Sequence, residues 1–537
     1  MAEKIYVFDT TLRDGSQGEG ISFSVEDKLK IAARLDLFGI DYIEGGWPGA
    51  NPKDMEFFER AKELTWHHAK LTAFGRTRKP GGLVEEDENL LAILRSGVKV
   101  ATIFGKTWDL HVTQALGTTL AENLAMIRET VSFLVSKGLE VVYDAEHFFD
   151  GYKANPDYAL ECLRAAAEGG AGWIVLCDTN GGCLPGEIEA AVKRVRQKID
   201  TPLGIHTHND GELAVANTLA AVLAGCRQVQ GTINGLGERC GNANLCSVLP
   251  NLELKLGYRC LPPGRLRELT EVSRYISEIA NIVQPTSMPF VGYSAFAHKG
   301  GIHVSAVMKD SSTYEHILPE EVGNKRRILV SELAGASNLR YKAAELGVQL
   351  NGRQTSDVVE CIKELERQGY QFEGAEASLE LLLRKAGGEY REPFQVDYFR
   401  IFVEKQAEQE SIAEAIIKLR VGEQVVHTAA EGNGPVNALD NALRKALEEF
   451  FPAIKRMRLT DYKVRVLDEK EATSAKVRVL IESRDGESTW STVGVSTNII
   501  EASWEALLDS MEYALLKEQQ RKRAAKAYGP QAPTGRD

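Results

Sequence analysis

The stretch Leu203-Gly-Ile-His-Thr-His-Asn-Asp210 runs from a short apolar lead into two histidines two residues apart. Residues two apart on a β-strand face the same side, so His206 and His208 project together from a strand end. That spacing lets them share one cation, and imidazole suits zinc, manganese, iron or cobalt. It equally fits two histidines hydrogen-bonded beneath a loop, so the rest of the chain has to decide. A glycine-rich segment, Gly235-Leu-Gly-Glu-Arg-Cys-Gly-Asn-Ala-Asn244, follows downstream.

Outward from this point the same unit recurs. Strand-like segments lie at Ile5–Phe8, Tyr42–Gly45, Leu71–Gly75, Val98–Phe104, Glu140–Ala145, Trp173–Asp178, Leu203–Thr207 and Gln228–Ile233. Amphipathic stretches such as Val25–Phe38, Asn123–Lys137 and Ile188–Lys198 separate them. Strands alternating with helices imply parallel pairing, and eight such units close into a (β/α)8 barrel. Polar residues gather at the strand ends: Asp14, Glu44, Arg76, Glu146, Asp178 to Asn180, and His206 to Asp210. In this architecture the C-terminal strand ends carry the active site.

Bulk properties exclude several classes. With 537 residues the chain has room for about three domains. No apolar run is long enough to cross a bilayer, and the N-terminus enters a strand pattern without a secretory apolar core. A formal net charge of −12 argues against a general nucleic-acid binder. Eight scattered cysteines without a CxxC pair favour reduced thiols and a cytoplasmic location. Cys177, Cys240 and Cys246 fall near the proposed site and read as small packing residues.

After the first strand comes Asp9-Thr-Thr-Leu-Arg-Asp-Gly-Ser-Gln17. Strand 1 of a closed barrel lies beside strand 8 and one removed from strand 7, so Asp14 can reach the cation that His206 and His208 face. Asn242 is placed to add a neutral carbonyl ligand. Arg13 keeps its charge and carries a planar fork suited to a carboxylate substrate, or to a structural ion pair with Glu44, and both roles can hold together.

The Thr-Leu-Arg-Asp-Gly-x-Gln opening, the His-x-His of strand 7 and Gly-x-Gly-Glu-Arg-x-Gly-Asn-Ala after strand 8 resemble the DRE-TIM metallolyase superfamily. They are most similar to its Claisen-condensing branch, the 2-isopropylmalate, homocitrate and citramalate synthases. Phe104-Gly-Lys-Thr-Trp-Asp-Leu-His111 and Tyr143-Asp-Ala-Glu-His-Phe-Phe-Asp-Gly-Tyr-Lys153 resemble the long citramalate-forming members. The resemblance implies condensation of acetyl-CoA with pyruvate, on the route to isoleucine, at a divalent ion (manganese, magnesium, zinc or cobalt). It implies Asp14, His206, His208 and Asn242 as metal ligands or near neighbours, Arg13 on the 2-oxo acid, and Glu44 orienting Arg13. Thr102, Phe104, Asp144, Glu146 and Thr179 are expected to line the oxo-acid pocket, with Glu146 also among the catalytic residues. Phe74, Phe104 and Tyr143 are bulky enough to shorten that pocket if they point inward. Ser16 stands where many synthases have Glu, and Thr102 and Asp144 where isopropylmalate synthases carry His and Ser. Those departures bear on the substrate rather than on the reaction. The alternatives are a 2-isopropylmalate synthase, a hydroxymethylglutaryl-CoA lyase, a carboxyltransferase subunit and a catalytically silent amino-acid sensor.

Residues 1–260 are thus expected as the catalytic barrel and 261–390 as helical linker subdomains. Within the linker, His303 and Tyr314 match residues that in similar synthases serve proton chemistry in a partner subunit's site; a buried, hydrogen-bonded His303 is the plainer alternative. From about Gln395 strands at Tyr398–Glu404, Ala415–Val421, Gln424–Ala429, Tyr462–Leu467, Lys476–Ser483 and Trp490–Ser496 surround helices Val436–Phe450 and Ile500–Leu516. Three strands and a helix, twice over, indicate a duplicated α+β domain over 391–520. The resemblance makes it an allosteric and dimerisation module of a homodimer, with isoleucine the expected effector near Gly432-Asn-Gly-Pro435. Residues 521–537 are expected to be a disordered tail.

Overall fold

A computed structural model describes residues 2–331, 335–388, 390–405, 411–467 and 475–527. The described residues form two compact units, one of those within 2–296 and 316–326 and one of those within 297–315 and 327–527.

In the first unit eight parallel strands close into a barrel. They are β1 (Tyr6–Asp9), β2 (Tyr42–Gly46), β3 (Lys70–Arg76), β4 (Val100–Lys106), β5 (Glu140–Glu146), β6 (Trp173–Asp178), β7 (Leu203–Thr207) and β8 (Gln228–Gly231). β1 pairs with both β2 and β8, which closes the ring. The last strand is shorter than expected: after Gly231 the chain turns, and Ile233–Gly235 forms a 3-10 turn around Asn234 at φ 65°. Alternation along each strand sorts its side chains into two cores. Val100, Val142, Val175 and Phe8 fill the barrel's interior, while Tyr143, Ile103 and Ile174 face the surrounding helices.

The helices start where the chain supplies caps. Ser24 and Asp27 form a reciprocal capping box at the start of Val25–Phe38, and Gly39 ends that helix at φ 101°. β2 carries a bulge between Glu44 and Gly46, where its register to β3 slips by one residue. A Cβ on Gly45 would lie 2.3 Å from the ring of Phe57, and one on Gly46 would lie 2.4 Å from Asp54. Only glycines fit there, and the extra residue redirects the chain as it leaves the strand.

In the second unit short strands β9 (Ala297–His298) and β10 (Arg327–Ile328) pair beside helices Gly301–Val307, Ala336–Glu345, Gly352–Gln368 and Glu376–Gly387. The stretch 261–390, expected as helical linker subdomains, is divided between the two units. Two three-stranded antiparallel sheets follow, β11 (Gln395–Glu404), β12 (Ile412–Val421), β13 (Gln424–Gly432) and β14 (Arg458–Val466), β15 (Val477–Arg484), β16 (Thr489–Ser496). Each is followed by a helix, Pro435–Leu447 and Ile499–Ala527, so the duplication is present. Ala415, Ile417 and Leu419 of β12 share a core with Leu439 and Leu443 and with Trp504 and Leu507. The final helix corrects one expectation. It continues through residues 521–527, which were assigned to a disordered tail, while 528–537 lie outside the described residues. None of the described helices is long and apolar enough to cross a membrane.

Candidate metal and oxo-acid site

Inside the barrel mouth, His206 lies at the end of β7 and His208 just past it, and Asp14 enters from the turn after β1. One ligand atom from each lies within 4.8 Å of the others, and all three residues are buried. The two Nε2 atoms are 3.2 Å apart, and Asp14 Oδ2 is 3.8 Å from His206 and 4.0 Å from His208. Two bonds of about 2.1 Å at right to tetrahedral angles set donor atoms about 3–3.5 Å apart.

Neighbours prepare these atoms for a cation. His206 Nδ1 lies 3.0 Å from Gln230 Oε1, so an Nδ1–H donates there and Nε2 keeps its lone pair. Gln230 in turn donates to Asp144 Oδ1 at 3.1 Å. Burial lowers the pKa of His206, and burial with the adjacent His206 brings His208 to about 3, which keeps both rings neutral. Burial alone would raise Asp14, but the charge of Arg13, aided by both histidines and Asn242, holds its carboxyl at about 2. Asn242 donates to Asp14 Oδ1 at 2.9 Å and to the Leu236 carbonyl at 3.1 Å. Its own Oδ1 is buried without a hydrogen-bond partner. An anionic oxygen, two neutral imidazole nitrogens and an unpartnered amide oxygen fit a divalent ion.

Arg13 lies alongside. Its Nε donates to Glu44 Oε2 at 2.6 Å and its Nη1 to Asp14 Oδ2 at 3.1 Å, and its guanidinium carbon sits 3.8 Å from the Phe74 ring centroid. Burial opposes the Arg13 charge, yet Glu44 and Asp14 more than offset it and raise its pKa. Glu44 is fully buried behind Arg13, where Thr10 also donates to it at 2.6 Å. It holds the guanidinium and does not line the cavity.

The cavity brings together Arg13, Asp14, His206 and His208 with Phe104, Asp144, Glu146 and Thr179. Burial, then the charge of Glu44, pushes Asp144 well above the usual carboxylate range. Glu146 is ion-paired with Lys106, its register partner on β4. Thr179 Oγ1 accepts from the His147 N–H at 2.8 Å. Thr102 is a correction. It is fully buried, its hydroxyl meets Thr72 at 2.8 Å, and it lies one inward-facing position below Phe104, out of the cavity. Tyr143 points to the outer core, whereas Phe74 and Phe104 point inward and stack at 5.2 Å.

His303 and Tyr314 belong to the second unit. Their rings stack at 4.1 Å and both are exposed, so His303 is not a buried, hydrogen-bonded residue. Gln17, Glu238 and Arg239, which stand in the quoted motifs without an expected role, also line the cavity, as does Trp47, which lies in no motif; Lys106 and Gln230 are further residues without an expected role. A glutamine alternating with Gln228 in an otherwise apolar strand was the available signal for Gln230. Cys177, read as a packing residue, also reaches the cavity wall.

Comparison with known proteins bears on this arrangement. The family described as HMGL-like matches residues 4–276, a homocitrate synthase post-HMGL domain-like family matches 290–370, and a LeuA allosteric (dimerisation) domain matches 373–515. A curated (R)-citramalate synthase of Aquifex aeolicus is 57% identical, over 97% of this chain and 99% of that protein. Those of Geobacter sulfurreducens and Synechocystis are 55% and 54% identical, over 96% and 95% of this chain and 98% and 96% of theirs. With an HMGL-like barrel, a LeuA-type C-terminal domain and near full-length relatives that share one name, the chain belongs to the (R)-citramalate synthase family.

Proposed function

We propose that the protein condenses acetyl-CoA with pyruvate and hydrolyses the thioester, releasing (R)-citramalate and CoA. The observation carrying this reading is the meeting of Arg13 with Asp14, His206 and His208 in one cavity that also presents an aromatic wall. A divalent ion, when bound by Asp14, His206, His208 and Asn242, polarises the keto group of the oxo acid. Arg13, held from behind by Glu44, takes the substrate carboxylate. Glu146, one of several carboxylates in the cavity and paired with Lys106, accepts a proton from the acetyl methyl group. The C–C bond then forms between that carbon and C2 of pyruvate as the keto C=O electron pair moves onto its oxygen, which takes up a proton, and water displaces CoA from the thioester. His303 and Tyr314 are assigned to the proton chemistry, and in a dimer they serve the partner subunit.

Residues 1–260 act as the catalytic barrel and 391–520 as a dimerising regulatory domain that takes isoleucine. Support comes from a second cavity beside the start of helix Pro435–Leu447, next to the expected Gly432–Pro435 loop. Asp440 there has a buried Oδ1 without a partner, Arg444 and Arg458 supply positive charge, and Val436, Leu459 and Tyr462 supply apolar surface. An ammonium, a carboxylate and a branched aliphatic chain complement that set.

The test offers purified enzyme acetyl-CoA with pyruvate, 2-oxobutyrate, 2-oxoisovalerate or 2-oxoglutarate and follows free thiol. Pyruvate is expected to give the highest kcat/KM. A preference for 2-oxoisovalerate moves the reading to isopropylmalate formation, and no thiol release with any acid leaves only a sensor.

A further inference from the structure

Trp47 leaves β2 just past the bulge and is half-buried in the cavity wall. Its indole meets Phe74 at 5.5 Å and Phe104 at 5.6 Å, perpendicular to both at 83°. The two phenyl rings are themselves stacked at 16°, so the three form one continuous apolar surface beside Arg13. Its polar atoms are held in three places. The backbone N–H donates to Asp54 Oδ2 at 2.9 Å, the carbonyl accepts from Ala50 and Asn51 at 3.0 Å each, and the indole Nε1–H donates to Asn89 Oδ1 at 2.6 Å.

Both side-chain anchors are themselves fixed. Asp54 is buried in an ion pair with Lys28, whose ammonium also reaches the Gly45 carbonyl at 3.0 Å inside the bulge. Asn89 is 6% exposed and donates to the Arg76 carbonyl at 3.0 Å. Two glycine backbones pack closely on Asn89: a Cβ on Gly75 would lie 3.0 Å from its amide nitrogen, and one on Gly49 3.2 Å from its amide oxygen. An apolar pocket that merely misses a contact discriminates weakly, whereas a wall that cannot retreat excludes a larger group by clash.

We propose that Trp47 is a specificity-determining residue, locked by Asn89 as a positioning residue, and that this clamped indole limits the group on C2 of the oxo acid to a methyl. The inference rests on the pyruvate reading above. With the substrate carboxylate on Arg13, the methyl is its only apolar part, and the three rings are the large apolar surface of the cavity. Asn89 is out of the cavity and acts through the indole alone.

The experiment measures kcat/KM for pyruvate, 2-oxobutyrate and 2-oxoisovalerate in wild type, Trp47→Leu, Asn89→Ala and Asn89→Asp. Trp47→Leu is expected to raise the ratio of 2-oxobutyrate to pyruvate by about tenfold or more, the scale of a methylene in a hydrophobic pocket. Asn89→Ala is expected to move the ratio the same way by a smaller factor. Asn89→Asp keeps the oxygen that accepts from the indole and is expected to hold the wild-type ratio. An unchanged ratio in Trp47→Leu overturns the inference. If that variant does not fold by circular dichroism, an unchanged ratio in folded Asn89→Ala overturns it instead. A general loss of rate with no change in ratio reduces the clamp to a structural role and also counts against it. Wild type inactive on all three acids fails differently, because it removes the pyruvate reading itself.

Discussion

His206 Nε2 and His208 Nε2 face one another at 3.2 Å in a buried site, on rings that burial keeps neutral. Without a cation, one nitrogen must carry a proton to separate two lone pairs; with one, both lone pairs are used. His208→Ala is expected to lose stoichiometric divalent metal by elemental analysis and to lose turnover, while circular dichroism stays that of a folded barrel. Gln230→Leu removes the acceptor that fixes the His206 tautomer and is expected to weaken metal affinity about 10–100-fold. Full metal content in both variants would count against the site.

Arg13 joins Glu44, Asp14 and the Phe74 face at once. A lysine ammonium cannot keep the Glu44 contact and still offer a planar fork to a carboxylate. Arg13→Lys is expected to lower kcat/KM for the oxo acid by on the order of 100-fold, the scale of one charged hydrogen bond. Steady-state kinetics with pyruvate varied checks this, and a near-native value would remove Arg13 from substrate binding.

Thr102 contributes to packing and not to substrate contact, since its hydroxyl is spent on Thr72. Thr102→Val is expected to leave KM for pyruvate within about twofold and to cost about 1 kcal/mol of stability through the lost hydrogen bond. A large rise in KM with unchanged melting would return Thr102 to the pocket.

Asp9 is fully buried beneath the opening loop, bonded to the Thr11 N–H and hydroxyl at 2.9 Å each. Burial, only partly countered by those bonds, raises its pKa from 3.8 to about 7. The fold therefore prefers the protonated acid. Its contribution to stability is complete below about pH 4 and is lost as pH rises through about 7, at about 1.4 kcal/mol per unit of difference. Asp9→Asn, neutral throughout, is expected to melt progressively higher than wild type between pH 5 and 8. Parallel melting curves would show that Asp9 is not the group responsible.

In the cavity proposed for the effector, Asp440 Oδ2 accepts from Arg444 Nε at 2.9 Å while its buried Oδ1 has no partner. If it takes the ammonium of isoleucine, Asp440→Asn should raise the isoleucine concentration for half-inhibition about 10–100-fold, the scale of a charged hydrogen bond. Rate measured against isoleucine, leucine and valine checks this. Equal inhibition of variant and wild type would place the effector elsewhere.

The barrel was legible in the chain because its evidence is local and repeated: eight strand-like segments, most of them ending in polar residues, need only pairwise closure. The histidine pair was legible for a similar reason, since a period of two fixes both rings on one face of β7. The duplicated C-terminal module followed from its repeated order of three strands and a helix. Alternation alone could not say which face of β5 turns inward, so Tyr143 and Asp144 were separated only when neighbouring strands set the register. Layering inside the barrel, invisible along a single strand, put Phe104 in the cavity and Thr102 beneath it. The final helix runs past Leu516 with Glu518 paired to Arg456, Gln520 donating to Glu380 and Arg521 paired to Asp485, distant partners that the charged residues do not reveal along the chain. Trp47 depended most on tertiary structure. A one-residue bulge turns it into the cavity, and the partners that hold it there come from helices seven and forty-two residues away, contacts that no local pattern encodes.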